Sequence, residues 1–310
     1  MTINDVWTIL RWLLRFQRGA HLGRIITLLT DFGLEDGYVG SLKGIILGIC
    51  PAARIIDITH LVPPQDSRAG GFILHTVYRD FPAGAIHFAV VDPGVGTERC
   101  GLVIQTPNYF FVGPDNGLFS WVLKNEPDAE ARKLENGEFW LSTVSSTFHA
   151  RDIFAPVAAH LAAGVPVAAL GPPRIAHIAE WSTVSRHGST LKGEVLHVDH
   201  FGNVITNLDR KTLNHFASTR RMVIHTAGRA IGGLCSTYGS EPPGAALAII
   251  GSHGFLEIAV NRGNAARLLN LRAGDTVLVG ESSENSPRLP LPASPSGALS
   301  APPSLLDETP

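Results

Sequence analysis

From Ile25 to about Gly164 the chain alternates short, continuous apolar runs with longer runs of helical pattern. The strand-like runs, which are rich in apolar residues, include IITLLT (25–30), RIIDIT (54–59) and IHFAVVD (86–92). Strands that are apolar throughout are buried on both faces, and such strands alternating with helices are typical of a largely parallel sheet. This rhythm predicts an α/β domain over residues 25–185.

The pattern changes after GPP at 171–173. Short β-like runs such as GEVLHVD, NVITNL, ALAIIG, FLEIAVN and TVLVG then follow one another with no long helical pattern between them. This succession predicts a second, smaller, all-β domain over residues 186–280.

The two ends of the chain differ from the rest. VWTILRWLLRF (6–16) has the spacing of an amphipathic helix, but Arg11 and Arg15 interrupt it, and it falls short of the roughly 20 apolar residues that span a membrane. We expect residues 1–24 to be an extension outside the main fold and the protein not to associate with a membrane. The Pro- and Ser-rich end, 281–310, is predicted to be a disordered tail.

Charge and cysteine content narrow the function further. The net charge is −2, and no dense Lys/Arg cluster is present, so we expect no nucleic-acid partner. The three cysteines, Cys50, Cys100 and Cys235, are widely spaced and form no CxxC pair. They therefore favour neither a disulfide framework nor a zinc site and suit a cytoplasmic location.

Acidic residues follow two of the predicted parallel strands. Asp31, with Asp36 after it, follows the first strand, and Asp92 follows the third in the loop VVDPGVGTER (90–99). Ligands of open α/β sheets bind outside the carboxyl ends of strands. A single aspartate there is usually a turn or cap residue, but two at one sheet edge favour a binding site.

Two short stretches look like known motifs but lack the residues that those motifs require. The Asp31-Phe32-Gly33 triplet lacks the catalytic loop and the glycine-rich segment of a protein kinase. Gly94 and Gly96 form only GxG, without the third glycine of a dinucleotide-binding loop.

The segment STFHARDIFAP (146–156) offers a histidine at the start of a predicted helix. Asp152 is predicted to be the N-cap of that helix, which would place His149 in the preceding loop, where functional groups are concentrated.

The predicted β domain carries a further polar and aromatic set. Asp199 and Asn203 offer hydrogen-bonding edges, and Phe201 and Tyr238 offer flat apolar faces. These residues suit a purine and the two hydroxyls of a ribose, but they equally suit turns and core aromatics. The residues alone leave both interpretations open.

Taken together, six segments resemble one family. They are LLTDFGLEDGYVG, VVDPGVGTER, FVGPDNGLF, STFHARDIFAP, VDHFGNVITN and GSHGFLEIAVNRGNAA, and they span about Ile25 to Gly280. In this order they resemble the S-adenosyl-L-methionine (SAM) hydroxide adenosyltransferases, which are relatives of the 5′-fluorinases and 5′-chlorinases. The resemblance implies a Rossmann-like α/β domain followed by a C-terminal β-barrel, and a homotrimer whose active site lies between the N-terminal domain of one subunit and the C-terminal domain of the next.

The resemblance also implies a reaction, in which SAM and water give adenosine and L-methionine. SAM is the substrate, and neither a cofactor nor a metal is expected. Asp92, Arg99 and His149 match the set that holds and polarises water, and the glycines after Asp92 are expected to form a tight turn that lets the cationic substrate approach. The other residues implied to bind substrate are Asp31 at the ribose, Asp36 near the methionine ammonium, Asp199, Phe201, Asn203, Tyr238 and Ser252 along the methionine and adenine portions, and Glu257 and Val260 close by.

Two alternative functions stay open at this point. A 5′-halogenase resembles this chain but has tyrosines in place of Asp92 and His149, and the fluorinase has a serine in place of Ala150. A carboxylate repels a halide in a dry site, so Asp92 favours water. The other alternative is a non-catalytic SAM or adenosine sensor. Whether Asp92 or His149 takes the proton of the water is not determined by the residues alone.

Overall fold

The computed structural model describes residues 23–181, 183–216 and 222–281. The helix predicted at 6–16 and residues 282–310 of the predicted tail lie outside these ranges. The described chain divides into two compact units between Thr183 and Val184. Within the described ranges, no helix is both long and apolar enough to span a membrane.

The N-terminal unit is built on a six-stranded sheet whose order is β2-β1-β3-β5-β4-β6. Its strands are β1 (Ile25–Thr30), β2 (Arg54–Thr59), β3 (Ile86–Val90), β4 (Gly101–Gln105), β5 (Phe110–Pro114) and β6 (Glu130–Lys133). β2, β1, β3 and β5 pair in parallel, whereas β4 is antiparallel to both of its neighbours. The short link from β4 to β5 explains the reversal, because a parallel connection needs a crossover of a dozen or more residues.

Helices cover both faces of this sheet. They are α1 (Tyr38–Ile49), α2 (Ser67–Val77), α3 (Ser120–Asn125) and α4 (Ala155–Ala162). In β3, Phe88 and Val90 belong to the core shared with α1 and α4, while Ala89 belongs to the core shared with α2 and α3. Alternate residues of β1, β3, β4 and β5 enter different cores, and this explains why these strands are mostly apolar, whereas the edge strand β2 is largely exposed.

The start of the helix that follows His149 differs from the prediction. Residues Ala150–Phe154 form a single wide turn that continues into α4, and His149 itself stands at the N-cap position. Asp152 is therefore not the N-cap. It is fully buried inside this turn, where its carboxylate accepts hydrogen bonds from the backbone N–H of Ser145 (2.8 Å) and from Nε of Arg151 (2.6 Å). The carboxylate closes the preceding loop, and the N-cap lies three residues earlier than predicted.

Two adjacent glycines let α2 approach the centre of the unit. A Cβ on Gly70 would lie 2.9 Å from a methyl group of Val91, and one on Gly71 would lie 2.4 Å from the backbone oxygen of Leu118. The helix therefore packs directly on the end of β3 and on the loop before α3.

We expect Gly71→Ala to destabilise the protein by about 1–3 kcal/mol, because the added methyl group must displace backbone. Gly44→Ala in α1 is the matched control. Its Cβ would meet nothing within 4 Å, so the better helix propensity of alanine should stabilise the protein by about 0.5–1 kcal/mol. Urea unfolding of both variants measures the difference, and a Gly71→Ala protein as stable as Gly44→Ala would contradict the close approach.

The C-terminal unit is an antiparallel, barrel-like sheet with the strand order β11-β10-β14-β8-β9-β13-β12, and β7 pairs with β8. Its strands are β7 (Ser185–His187), β8 (Thr190–Val198), β9 (Val204–Asp209), β10 (Met222–Thr226), β11 (Arg229–Gly232), β12 (Ala246–Ile250), β13 (Phe255–Val260) and β14 (Thr276–Glu281). Two short helices, α5 (Arg210–Phe216) and α6 (Ala265–Leu269), interrupt the strands.

The long strand β8 curves this sheet. Its first half pairs with β14 and its second half with β9. Gly193 lies at the changeover, where a Cβ would be 2.4 Å from Oδ1 of Asn207. A glycine at such a bend lets the two halves of the sheet approach closely. The structure thus confirms the predicted order of an α/β unit followed by a unit built mainly of β-strands.

Candidate active site

Asp92, Arg99 and His149 form one hydrogen-bonded cluster in the N-terminal unit. Asp92 follows the end of β3, and Arg99 returns to it across the loop. Nε of Arg99 donates to Oδ1 of Asp92 (2.9 Å), and a terminal nitrogen of the guanidinium donates to Oδ2. The same terminal nitrogen lies 3.0 Å from Nδ1 of His149. The side chains of Asp92 and Arg99 are only 5% and 10% exposed, so the pair is shielded from bulk water.

A glycine brings the two loops of this cluster together. Gly96 has a φ of +77°, and a Cβ there would lie 2.1 Å from the backbone oxygen of Ser146. The loop that holds Asp92 and Arg99 therefore packs directly on the loop that precedes His149. The predicted glycine turn is present. Glycine is required at position 96, however, by the close contact with Ser146 and not by the approach of a substrate.

The protonation of His149 follows from its neighbours. Burial lowers the pKa of His149, and the positive charge of Arg99 lowers it further, while Asp92 and Asp152 act in the opposite direction. A guanidinium only donates hydrogen bonds, so Nδ1 of His149 must accept the bond from Arg99. The neutral imidazole then carries its proton on Nε2.

Asp31 lies at the same edge of the sheet as Asp92. β1 and β3 are parallel neighbours, and Thr30 pairs with Val90, so the two aspartates follow the carboxyl ends of adjacent strands. Oδ2 of Asp31 accepts a hydrogen bond of 2.7 Å from the backbone N–H of Gln65, a residue with a positive φ of 66°. Asp36 lies exposed in the loop that leads into α1.

The sequence interpretation missed a group of aromatic rings at this edge. The ring of Tyr38 lies edge-on to that of Phe148 at 5.2 Å, and Phe32 lies 5.9 Å from both. Tyr38 is 49% exposed. Phe32 directly follows Asp31 and Phe148 directly precedes His149, and this adjacency to predicted site residues was the available signal. The three rings offer an apolar surface beside the polar cluster.

The C-terminal unit holds the other predicted binding residues, five of which form two groups. In the first, Oδ1 of Asp199 accepts from the backbone N–H of Asn203 (2.8 Å), and Oδ2 accepts from the side-chain amide of Asn203 (2.9 Å). Asp199 and Asn203 therefore close a turn. Phe201, at the tip of the same turn, is 72% exposed, so the core interpretation of this ring is wrong.

In the second group, the hydroxyl of Tyr238 donates to Oε1 of Glu257 over 2.7 Å. Tyr238 is 45% exposed and so is not a core aromatic, whereas Glu257 is 7% exposed. Burial raises the pKa of Glu257, and nearby Asp199 raises it further, against the opposing effects of Tyr238 and His253. Burial and the bond to Glu257 raise the pKa of Tyr238 to about 12. Both residues thus keep their protons more readily than usual.

The last two predicted binding residues lie at the ends of β13. Ser252 is exposed in the turn between β12 and β13. Val260 is 6% exposed and ends β13, and its backbone oxygen accepts a hydrogen bond from Gly263 (3.0 Å).

Family models match both units of the chain. The model for the SAM hydroxide adenosyltransferase N-terminal domain matches residues 26–171, and the model for the C-terminal domain of the same family matches residues 193–278. The chain belongs to the SAM hydroxide adenosyltransferase family. The resemblance inferred from the six sequence segments is thereby confirmed.

Individual relatives agree with this assignment. An (R)-S-adenosyl-L-methionine hydrolase of Salinispora arenicola is 40% identical, over 82% of this chain and 97% of its own. One from Thermus thermophilus is 39% identical, over 81% and 97%. A fluorinase from an Actinoplanes species is more distant at 27% identity, over 82% and 97%. A solved structure of an uncharacterized conserved protein from Thermotoga maritima matches with a TM-score of 0.77 at 37% identity, over 83% and 100%.

In the ranges that the structure describes, no group of three or more His, Cys, Asp or Glu residues is placed to hold a metal ion. The Asp92–Arg99–His149 cluster itself has a guanidinium at its centre, and this positive group occupies the position between the carboxylate and the imidazole.

Proposed function

We propose that this enzyme hydrolyses SAM to adenosine and L-methionine, through attack of water at C5′. One observation carries the proposal: in a chain 40% identical to a named SAM hydrolase, Asp92, Arg99 and His149 form a shielded hydrogen-bonded cluster at the carboxyl edge of the sheet. A carboxylate beside a neutral imidazole suits a water molecule better than a halide.

The cluster supports separate roles for the two candidate bases. Since Nδ1 of His149 accepts from Arg99, the Nε2–H is the free ring position, and it can only donate to the water. Asp92 is the acceptor that remains, because each of its oxygens keeps a lone pair beside the bond from Arg99. We therefore assign proton acceptance to Asp92 and water orientation to His149.

The reaction itself needs little more than this. The oxygen of water forms a bond to C5′ while the C5′–S bond breaks, and the bonding pair leaves with the sulfur of methionine. The sulfonium is already a good leaving group, so neither a general acid nor a cofactor is required. Alignment of oxygen, C5′ and sulfur accounts for much of the remaining barrier, and a positioned base contributes about 10²–10⁴-fold.

The remaining binding residues keep the roles that the family resemblance implies. Asp31 would hold the ribose hydroxyls and Asp36 would lie near the ammonium group. The residues of the C-terminal unit would line the rest of the substrate: Asp199, Phe201, Asn203, Tyr238, Ser252, Glu257 and Val260. The exposed faces of Phe201 and Tyr238 support this role, since exposed aromatic rings are available for stacking.

Three finer expectations are proposals on the same basis. One is a homotrimer with the site between neighbouring subunits, which light scattering coupled to size-exclusion chromatography tests. Another is a Rossmann-like arrangement of the sheet. It is supported by the position of Asp31 and Asp92 after the carboxyl ends of parallel strands, where such sheets bind their ligands. The third is a cytoplasmic location, which the absence of a disulfide among the three cysteines supports.

Turnover of SAM in ¹⁸O-labelled water tests the proposed reaction. Label at the 5′-hydroxyl of adenosine, detected by mass spectrometry, is the expected result. A parallel incubation with chloride separates the halogenase, which would give 5′-chloro-5′-deoxyadenosine. SAM binding without any turnover would overturn the hydrolase and indicate a sensor.

The pH dependence of kcat/KM tests the state of His149. Protonation of Nδ1 would break the hydrogen bond from Arg99 and place two cations side by side, so the protonated form should be inactive. Because the pKa of His149 is lowered, activity should persist as the pH falls through 6.5, the ordinary histidine value, and decline only below it. An acidic limb centred at or above pH 6.5 would contradict this assignment.

A further inference from the structure

The segment FVGPDNGLF (111–119) belongs to the family resemblance but has no role in the reaction described above. It contains the end of β5 and the loop that leads into α3. In that loop, Asn116 is partly buried and lies against the end of β3. Its contacts point to the residue just before Asp92.

The backbone carbonyl of Val91 receives two side-chain hydrogen bonds. Nδ2 of Asn116 donates to it over 2.8 Å, and Oγ of Ser67 donates to it over 3.1 Å. Val91 is fully buried and lies one residue beyond the end of β3. A buried carbonyl at such a position needs a partner, and here two side chains provide it.

Both donors are themselves held in place. Oδ1 of Asn116 accepts a hydrogen bond from the backbone N–H of Leu118 (3.1 Å), and its Nδ2 lies 3.4 Å from Oγ of Ser67. Ser67 is 6% exposed and opens α2, the helix that Gly70 and Gly71 allow to pack on Val91 and Leu118. The two donors thus reach the carbonyl from separate elements.

We propose that Asn116 and Ser67 are positioning residues for Asp92, a proposal that rests on the hydrolase function above. The carbonyl of Val91 and the backbone nitrogen of Asp92 belong to one planar peptide group. Two donors held by separate elements restrict the rotation of this plane. They therefore restrict the direction in which the Asp92 side chain leaves the backbone, opposite the restraint that Arg99 applies at the carboxylate.

Asn116→Ala tests this role, and Asn136→Ala is its matched control. Asn136 makes the same kind of contacts in another loop: Nδ2 donates to the backbone oxygen of Ala169 (3.0 Å), and Oδ1 accepts from the N–H of Glu138 (3.1 Å). Both variants should lose similar thermal stability. Only Asn116→Ala should lower kcat, by about 10- to 100-fold with the KM for SAM within about threefold, since small misplacements of a reacting group have such effects.

A double-mutant cycle separates positioning from general damage. In an Asp92→Asn background, Asn116→Ala should cause no further loss of kcat, because the carboxylate that it positions is absent. Ser67→Ala is the second variant should Asn116→Ala fold poorly. It should lower kcat less than Asn116→Ala, and it should likewise have no effect in the Asp92→Asn background.

Two results would overturn the proposal: an Asn116→Ala enzyme as active as Asn136→Ala, or an equal loss of kcat with and without the Asp92 carboxylate. Either result leaves hydrolysis by the wild-type enzyme intact. Failure of the wild-type enzyme to release adenosine from SAM would instead refute the proposed function itself.

Discussion

Replacement of Asp92 by asparagine is expected to lower kcat for SAM hydrolysis by about 10²–10⁴-fold, the contribution of a positioned base. The amide has nearly the same shape, so the loop should keep its conformation. It cannot take a proton from water, however, and its NH₂ group cannot accept a hydrogen bond from Arg99. Adenosine release measured by chromatography gives kcat, and calorimetric titration with SAM gives the dissociation constant, which should change by less than about threefold.

Glu126→Gln is the matched control for this prediction. Glu126 is also a carboxylate paired with an arginine, since Arg79 donates to its Oε1 from Nε (3.3 Å) and from a terminal nitrogen (2.8 Å). It lies at the end of α3, where its hydrogen-bond partners are Tyr78 and Arg79, and its neutral variant should keep full activity. A weakened affinity for SAM with unchanged turnover of the bound enzyme would show that Asp92 binds substrate and does not act on water.

Replacement of Arg99 by lysine is expected to lower kcat by about 10²-fold. Arg99 donates to both oxygens of Asp92 and to Nδ1 of His149 at the same time. A lysine ammonium keeps the charge, but it has a single nitrogen and lacks the planar fork that spans these three acceptors. Either the carboxylate or the imidazole would then lose its orientation, and misplacement of a reacting group by about 1 Å costs about this much.

Arg79→Lys is the control for the guanidinium geometry. Arg79 likewise makes three hydrogen bonds, two to Glu126 and one to the backbone oxygen of Asn125. Its replacement should leave kcat unchanged within about twofold. If Arg99→Lys retained wild-type turnover, the charge of Arg99 alone would be sufficient, and the alignment role would be wrong.

The sequence pattern predicted most strands of the N-terminal unit, because the pattern that marks a strand lies within the strand and its flanking turns. Strand-like runs bounded by turn residues marked β1, β2 and β3. The direction of β4 was not predicted, because it depends on the length of a connection and not on the residues within the strand. The start of the helix after His149 was wrong for a related reason: the Asp152 side chain turns back to Ser145, seven residues earlier, instead of capping the helix.

Exposure also depended on the tertiary structure. Phe201 and Tyr238 are aromatic residues of the kind that often lies in a core, yet the turns that carry them leave both rings exposed to solvent. Phe32 lies in the loop before α1, Tyr38 is the first residue of α1, and Phe148 comes from the distant loop before α4, so no single stretch of sequence identifies the three rings as one surface.

By itself, the sequence determined the family, the two kinds of unit and the identity of Asp92, Arg99 and His149 as candidates, because motifs and periodicity are properties of nearby residues. Only the tertiary structure decided how they contact one another. The hydrogen bond from Arg99 to Nδ1 of His149 joins residues 50 positions apart, and it places the imidazole proton on Nε2. This contact is the reason for proposing Asp92 as the base, since the position of a proton follows from the partners that the fold brings together.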